Sequence, residues 1–260
     1  MFRFSFCAYQ PRIDRHGLAR FGIALLGAAS GLMLALQVPA EEAQFGSLSG
    51  HISYQADAKQ PWRFQRYYVA NPSDGGLAEA VIELKALATQ HDSPQKSPRR
   101  ILMDQINFQF VPETIAVQAG DTVAFTNSDD TLHNVMLLKA AEPFNVNLGK
   151  DEVYEHRFKT PVEITQPHRL GCVYHGSMRG WVFVFDHPYF AQTGKDGRFS
   201  IAALPPGDYQ LTVHHPAGRL FFTQTMTIKA GQTETLEQTL TPANIRQKRF
   251  APKSAPIEKK

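Results

Sequence analysis

Cysteine is almost missing from this chain, with two in 260 residues. That is too few for a disulfide-stapled scaffold or a four-thiolate zinc site. Charge of one sign is missing too. The 27 Lys and Arg face 24 Asp and Glu, a balance that excludes a basic nucleic-acid-binding surface and a disordered polyelectrolyte. After residue 40 there is no long amphipathic stretch of helical period. Gly-x-Ser-x-Gly, phosphate loops and His-x-His repeats are also absent, which argues against a hydrolase, a nucleotide enzyme and a multicopper oxidase. What remains is a chain that is 43% apolar, with 18 Gly, 17 Pro and 10 His. Its length allows one large domain or two modest ones.

The N-terminus reads as an export signal. Arg3, Arg12, Arg15 and Arg20 precede an uncharged apolar run at 21–36, which exits at Val38-Pro39-Ala40 with small residues where a signal peptidase needs them. We therefore expect 1–40 to be a signal peptide and the protein to be exported, periplasmic or extracellular. An uncleaved membrane anchor is the alternative. Cleavage takes four of the 27 basic residues and one of the 24 acidic ones, leaving 23 of each and no formal net charge. It also removes Cys7, so Cys172 becomes a lone thiol in an oxidising compartment. The end of the chain, 243–260, is basic and without periodicity. It is expected to be a disordered tail that could touch a membrane surface.

Short alternating or β-branched segments separated by turn residues fill the rest, the pattern of an all-β protein. Strands are expected at 48–54 and 80–87, then a linker at 89–100 with two prolines. Further strands are expected at 107–117, 122–126, 133–139, 153–158, 162–166 and 181–185, in a domain spanning 101–186 about the size of one small β-sandwich. Beyond it, 193–213 reads as two strands joined by Leu204-Pro205-Pro206-Gly207, followed by strands at 220–228 and 233–240. The run from Asp196-Gly197 to Val213 resembles the carboxypeptidase-regulatory, transthyretin-like β-sandwich. That resemblance speaks for fold and not for activity. Four strands over 187–242 make a meagre sheet with raw edges. Because such domains begin with a strand pair like the one at 46–88, we expect the second sandwich to be discontinuous, with 101–186 inserted into it.

The chemistry concentrates in His133 and the run Gly171-Cys172-Val173-Tyr174-His175-Gly176-Ser177-Met178. Two imidazoles, a thiolate and a thioether are the ligand set of a blue-copper electron-transfer site. Three donors on one tight loop and a fourth from a neighbouring strand allow a rigid sandwich to fix the geometry before metal arrives. Zinc fits less well, because it seldom uses methionine. The remaining histidines beyond the signal, His51, His91, His156, His168, His187, His214 and His215, lack comparable spacing, and Asp129-Asp130 reads as a turn.

At 108–135 and 172–178, followed by the apolar strand 181–185, the domain resembles the cupredoxins, and its short Cys-x-x-His-x-x-Met loop is of the amicyanin type. The resemblance implies a Greek-key β-sandwich, one type 1 copper, equatorial ligands His133, Cys172 and His175, and an axial Met178. It implies that Asn134 donates a hydrogen bond near the cysteine sulfur. It makes His175 the edge ligand through which electrons pass, with Val173, Tyr174 and Gly176 in the contact patch. The expected function is non-enzymatic transfer of single electrons to and from a redox protein partner. Copper handling without redox turnover, and a structural or adhesive surface protein, stay open as alternatives.

Overall fold

The computed structural model describes residues 45–55, 69, 73–88 and 97–245. The expected signal at 1–40 lies outside them, as does all of the expected tail beyond 245. Among the described residues no helix is long and apolar enough to cross a membrane. The elements are almost all strands. Two come first, β1 (Gly46–Tyr54) and β2 (Val81–Ala86). Nine follow: β3 (Arg100–Ile106), β4 (Gln109–Val111), β5 (Thr114–Gln118), β6 (Thr122–Asn127), β7 (His133–Leu137), β8 (Phe144–Leu148), β9 (Val153–Arg157), β10 (His168–Gly171) and β11 (Arg179–Phe185). The last five are β12 (Phe190–Gln192), β13 (Arg198–Leu204), β14 (Gly207–His215), β15 (Leu220–Ile228) and β16 (Thr233–Leu240).

The nine middle strands form one sandwich, with sheet orders β4-β3-β6-β9 and β5-β11-β10-β7-β8. Its core is the side-chain set that period-two alternation turns inward, among them Val117, Val123, Phe125, Val135, Leu170, Val182 and Val184. Cys172 and Met178 belong to the same buried cluster.

The remaining strands form the second sandwich, with sheets β13-β1-β16 and β12-β2-β14-β15. β1 pairs antiparallel with β13 and parallel with β16, and β2 lies between β12 and β14, so this sandwich is discontinuous around the first. β1 alternates buried and half-buried positions along its whole length. Gly50 is needed there, since a Cβ would stand 2.1 Å from the Leu236 carbonyl oxygen. Tyr209 is fully buried, and its hydroxyl donates to the Pro205 carbonyl at 2.7 Å, which pins the Pro-Pro-Gly turn to the strand after it.

The two sandwiches share a third apolar cluster, Val81, Ile164, Phe183 and Phe185, with Phe190 packed against it. His214 adds an edge-on contact to Phe183 and a 2.6 Å hydrogen bond to the Ile164 carbonyl.

Several expectations need correction. The segment 162–166 is a turn, because Pro161 and Pro167 bracket it and neither can donate to a ladder. The strand in that region is β10 instead. The run 107–117 is two strands, broken by Asn107 and Phe108 at φ 53° and 59° and by Pro112. β3 begins at Arg100, inside the expected linker. β8 was not expected, although Phe144, Val146 and Leu148 alternate with two asparagines. Nor was β12. The residues 243–245, placed in the tail, are ordered: Pro242–Asn244 is a 3-10 turn capped by Thr241, and Ile245 bridges to Leu220.

Candidate metal centre

One sheet supplies the whole centre. His133 opens β7, Cys172 follows β10, and Met178 immediately precedes β11. β10 is hydrogen-bonded between β7 and β11, so sheet pairing brings these three chain positions side by side. The loop between β10 and β11 is closed by the Met178 N–H donating to the His175 carbonyl at 2.9 Å.

The Nδ1 atoms of His133 and His175 stand 3.1 Å apart, and Cys172 Sγ lies 3.6 Å from His175 Nδ1. All three donor atoms fall within 4.8 Å of one another. Bond lengths of about 2.0 Å to nitrogen and about 2.3 Å to sulfur separate donors in a trigonal or tetrahedral shell by roughly 3.3–3.7 Å. The cluster therefore fits one small metal ion. His133 is fully buried, Cys172 is 5% exposed and Met178 3%, while His175 reaches partway to solvent. Met178 packs in the apolar cluster that holds Cys172.

Two residues that sequence reasoning missed complete the surroundings. Asp129, read as a turn residue, accepts from His133 Nε2 at 2.7 Å. With the proton on Nε2, the Nδ1 lone pair faces His175 and the sulfur, the tautomer a metal ligand needs. The same carboxylate accepts the N–H groups of Asn107 and Phe108 at 2.8 and 3.0 Å. Burial pushes its pKa up, but the Phe108 N–H, the His133 imidazole and the Asn107 N–H outweigh that and hold it below the usual carboxylate range. Phe108, read as a strand residue, sits edge-on to both imidazoles, with centroids 5.4 Å from His133 and 4.9 Å from His175. A left-handed pair of residues that folds a hairpin over the histidines was the only signal for it, and Asn107 was its one hint.

Asn134 acts differently from expectation. Its amide nitrogen donates to Asn145 and Asn147 side chains and the Val146 carbonyl on β8, and its oxygen accepts the Val173 N–H at 3.4 Å. It is tied to the backbone beside Cys172, and its donors are spent on β8. Tyr174 and Val173 are about half exposed beside His175, as is Phe108. The remaining described histidines are apart from the centre. His215 is fully buried, and burial lowers its pKa to about 3.

Just beyond Met178, the Arg179 guanidinium pairs with the buried Glu113 carboxylate at 3.0 Å. Its face lies over the Trp181 ring.

Comparison with known proteins finds two domain types, whose matches meet within β11 and leave out β1 and β2. Residues 100–184 match the model of the copper binding proteins, plastocyanin/azurin family. Residues 182–241 match that of the carboxypeptidase regulatory-like domain. No curated protein matches. Among solved structures, similarity extends to a purple cupredoxin from Nitrosopumilus maritimus, with 21% identity over 32% of this chain and 98% of that one at TM-score 0.28. Amicyanin from Paracoccus versutus shows 21% identity over 39% of this chain and 91% of that one at TM-score 0.29. A copper-containing nitrite reductase from Thermus scotoductus shows 23% identity over 39% of this chain and 25% of that one at TM-score 0.30. The chain thus carries a copper-binding domain of plastocyanin/azurin type and a carboxypeptidase regulatory-like domain.

Proposed function

We propose that the plastocyanin/azurin-type domain holds one type 1 copper and that the protein, exported through its N-terminal signal, passes single electrons between redox partners without catalysing a reaction of its own. The observation that carries this reading is the convergence of His133 Nδ1, His175 Nδ1 and Cys172 Sγ within 4.8 Å in a buried apolar pocket.

Copper bound there would supply a one-electron couple between its two oxidation states. The chain does the rest. His133, fixed through Asp129, and Cys172, packed in the core, hold a donor frame that changes little between states, so reorganisation is small. Met178, packed in the same cluster as Cys172, would offer the ion a soft thioether sulfur. The apolar core and Phe108 keep water from most of the site. His175 is the donor nearest solvent, and Phe108, Val173 and Tyr174 around it form an apolar rim on which a redox protein can seat without an obligate salt bridge.

The test is addition of Cu(II) to the full chain, with visible absorption and EPR recorded, and Cys172→Ser as control. An intense blue thiolate band with small copper hyperfine splitting, absent from the variant, is the expected result. Met178→Leu should keep the colour and shift the reduction potential. A colourless protein that binds Cu(I) tightly and does not cycle would replace electron transfer by copper handling.

A further inference from the structure

Away from the metal centre, Glu79 is the side chain with the least ordinary setting. It belongs to the second sandwich, where its N–H donates to the Thr193 carbonyl at 3.2 Å. Its backbone is held at φ 62°, a left-handed conformation costly to a residue with a Cβ. Its carboxylate crosses into the copper-binding domain and accepts two backbone N–H groups, Glu113 at 3.3 Å and Thr114 at 2.8 Å. The carbonyl of Thr114 accepts from Gln192 Nε2 at 2.7 Å, so the second sandwich grips the start of β5 on both sides.

From there the contacts run without slack to the metal loop. The Glu113 carbonyl accepts the Trp181 N–H at 2.8 Å, and its carboxylate holds Arg179. Between them lies Gly180, whose Cβ would stand 3.2 Å from the Glu113 oxygen and 3.4 Å from the Phe110 ring. Residues 179–181 are therefore seated directly on residue 113, and Arg179 is the covalent neighbour of Met178. A lone structural cap on β5 would need neither the strained backbone nor a carboxyl side chain drawn from another sandwich.

We propose that Glu79 is a positioning residue: through Glu113 and Arg179 it makes the second sandwich a brace for the strand that leaves the metal loop, and so fixes Met178 relative to Cys172 and His175. The bracing itself is independent of metal, while its effect at the site rests on the copper reading above.

The test uses the full chain with Glu79→Gly, which suits the left-handed backbone and keeps the fold, and Glu79→Gln, which keeps one acceptor. In the apoprotein, amide exchange at 179–181 should accelerate about tenfold in Glu79→Gly, the change that roughly 1.4 kcal/mol of lost hydrogen bonding produces, and less in Glu79→Gln. In the copper-loaded protein, the EPR spectrum and midpoint potential should both move in Glu79→Gly. Acceleration confined to residues 113 and 114, with 179–181 and the EPR spectrum as in wild type, would overturn the proposal and leave Glu79 a local cap. If wild type gives no blue site, the copper reading fails, and exchange in the apoprotein still decides whether the brace exists.

Discussion

At the scale of the residue, the centre is set by a carboxylate that contributes no donor atom to it. Asp129 orders three groups at once: the His133 ring through Nε2, and the Asn107 and Phe108 N–H groups that bring the Phe108 ring over the imidazoles. Removing it frees His133 to rotate or to place its proton on Nδ1, and also loosens the hairpin. Loss of such a partner typically costs about 10–100-fold in metal affinity. Asp129→Ala should therefore weaken copper binding by about that factor in a chelator-competition titration. Asp130→Ala is the control, because Asp130 is exposed and pairs with the surface Lys150. Equal affinities in the two variants would remove Asp129 from the site.

At the scale of the element, β11 serves both sandwiches. Val182 and Val184 point into the copper-binding core, while Phe183 and Phe185 point into the cluster with Val81 and Ile164. A strand covered on both faces has no polar side to display, which is why 181–185 reads as an unbroken apolar run. Phe183→Ala should cost about 3–5 kcal/mol in denaturant unfolding, the range for a large aromatic cut out of a core. Leu102→Ala, on an exposed face of β3, should fall within about 0.5 kcal/mol of wild type. A Phe183→Ala loss no larger than that of Leu102→Ala would mean the interface carries no stability.

The cluster of His133, Cys172 and His175 was legible because two of its members fall in one short loop and the third opens a strand after a recognisable turn. Its surroundings were not. Asp129 and Phe108 matter only once two consecutive left-handed residues fold the hairpin back, and periodicity is blind to that. The discontinuous second sandwich was legible from the shortage of strands after residue 187. The segment 162–166 misled because Val162 and Ile164 alternate as a strand would, yet Ile164 is buried from a turn between two prolines.

At the scale of the whole molecule, buried titratable groups of the two sandwiches have pH effects that oppose each other. Burial is the largest influence on Glu79 and raises its pKa from 4.5 to about 7, against the two N–H groups that lower it and with Glu113 that raises it further. The unfolded chain loses this proton near 4.5 and the folded one near 7, so between those values the folded state holds more protons. Stability from this group is fully present below about pH 4.5 and declines as pH rises to about 7. His215 runs the other way: burial lowers its pKa from 6.5 to about 3, so its contribution is complete above 6.5 and is lost as pH falls toward 3. His156 and His168, also lowered chiefly by burial, add to that second slope. Between about pH 4.5 and 6.5 the Glu79 and His215 slopes cancel one for one. Glu79→Gln removes only the declining one. Its unfolding free energy, followed by denaturant titration across this window, should rise with pH more steeply than wild type by one proton, about 1.4 kcal/mol per pH unit. Below pH 4 the two proteins should run parallel, because Glu79 is then protonated in both states. Parallel curves throughout would mean that the Glu79 carboxyl titrates at its ordinary value and is not enclosed between the sandwiches.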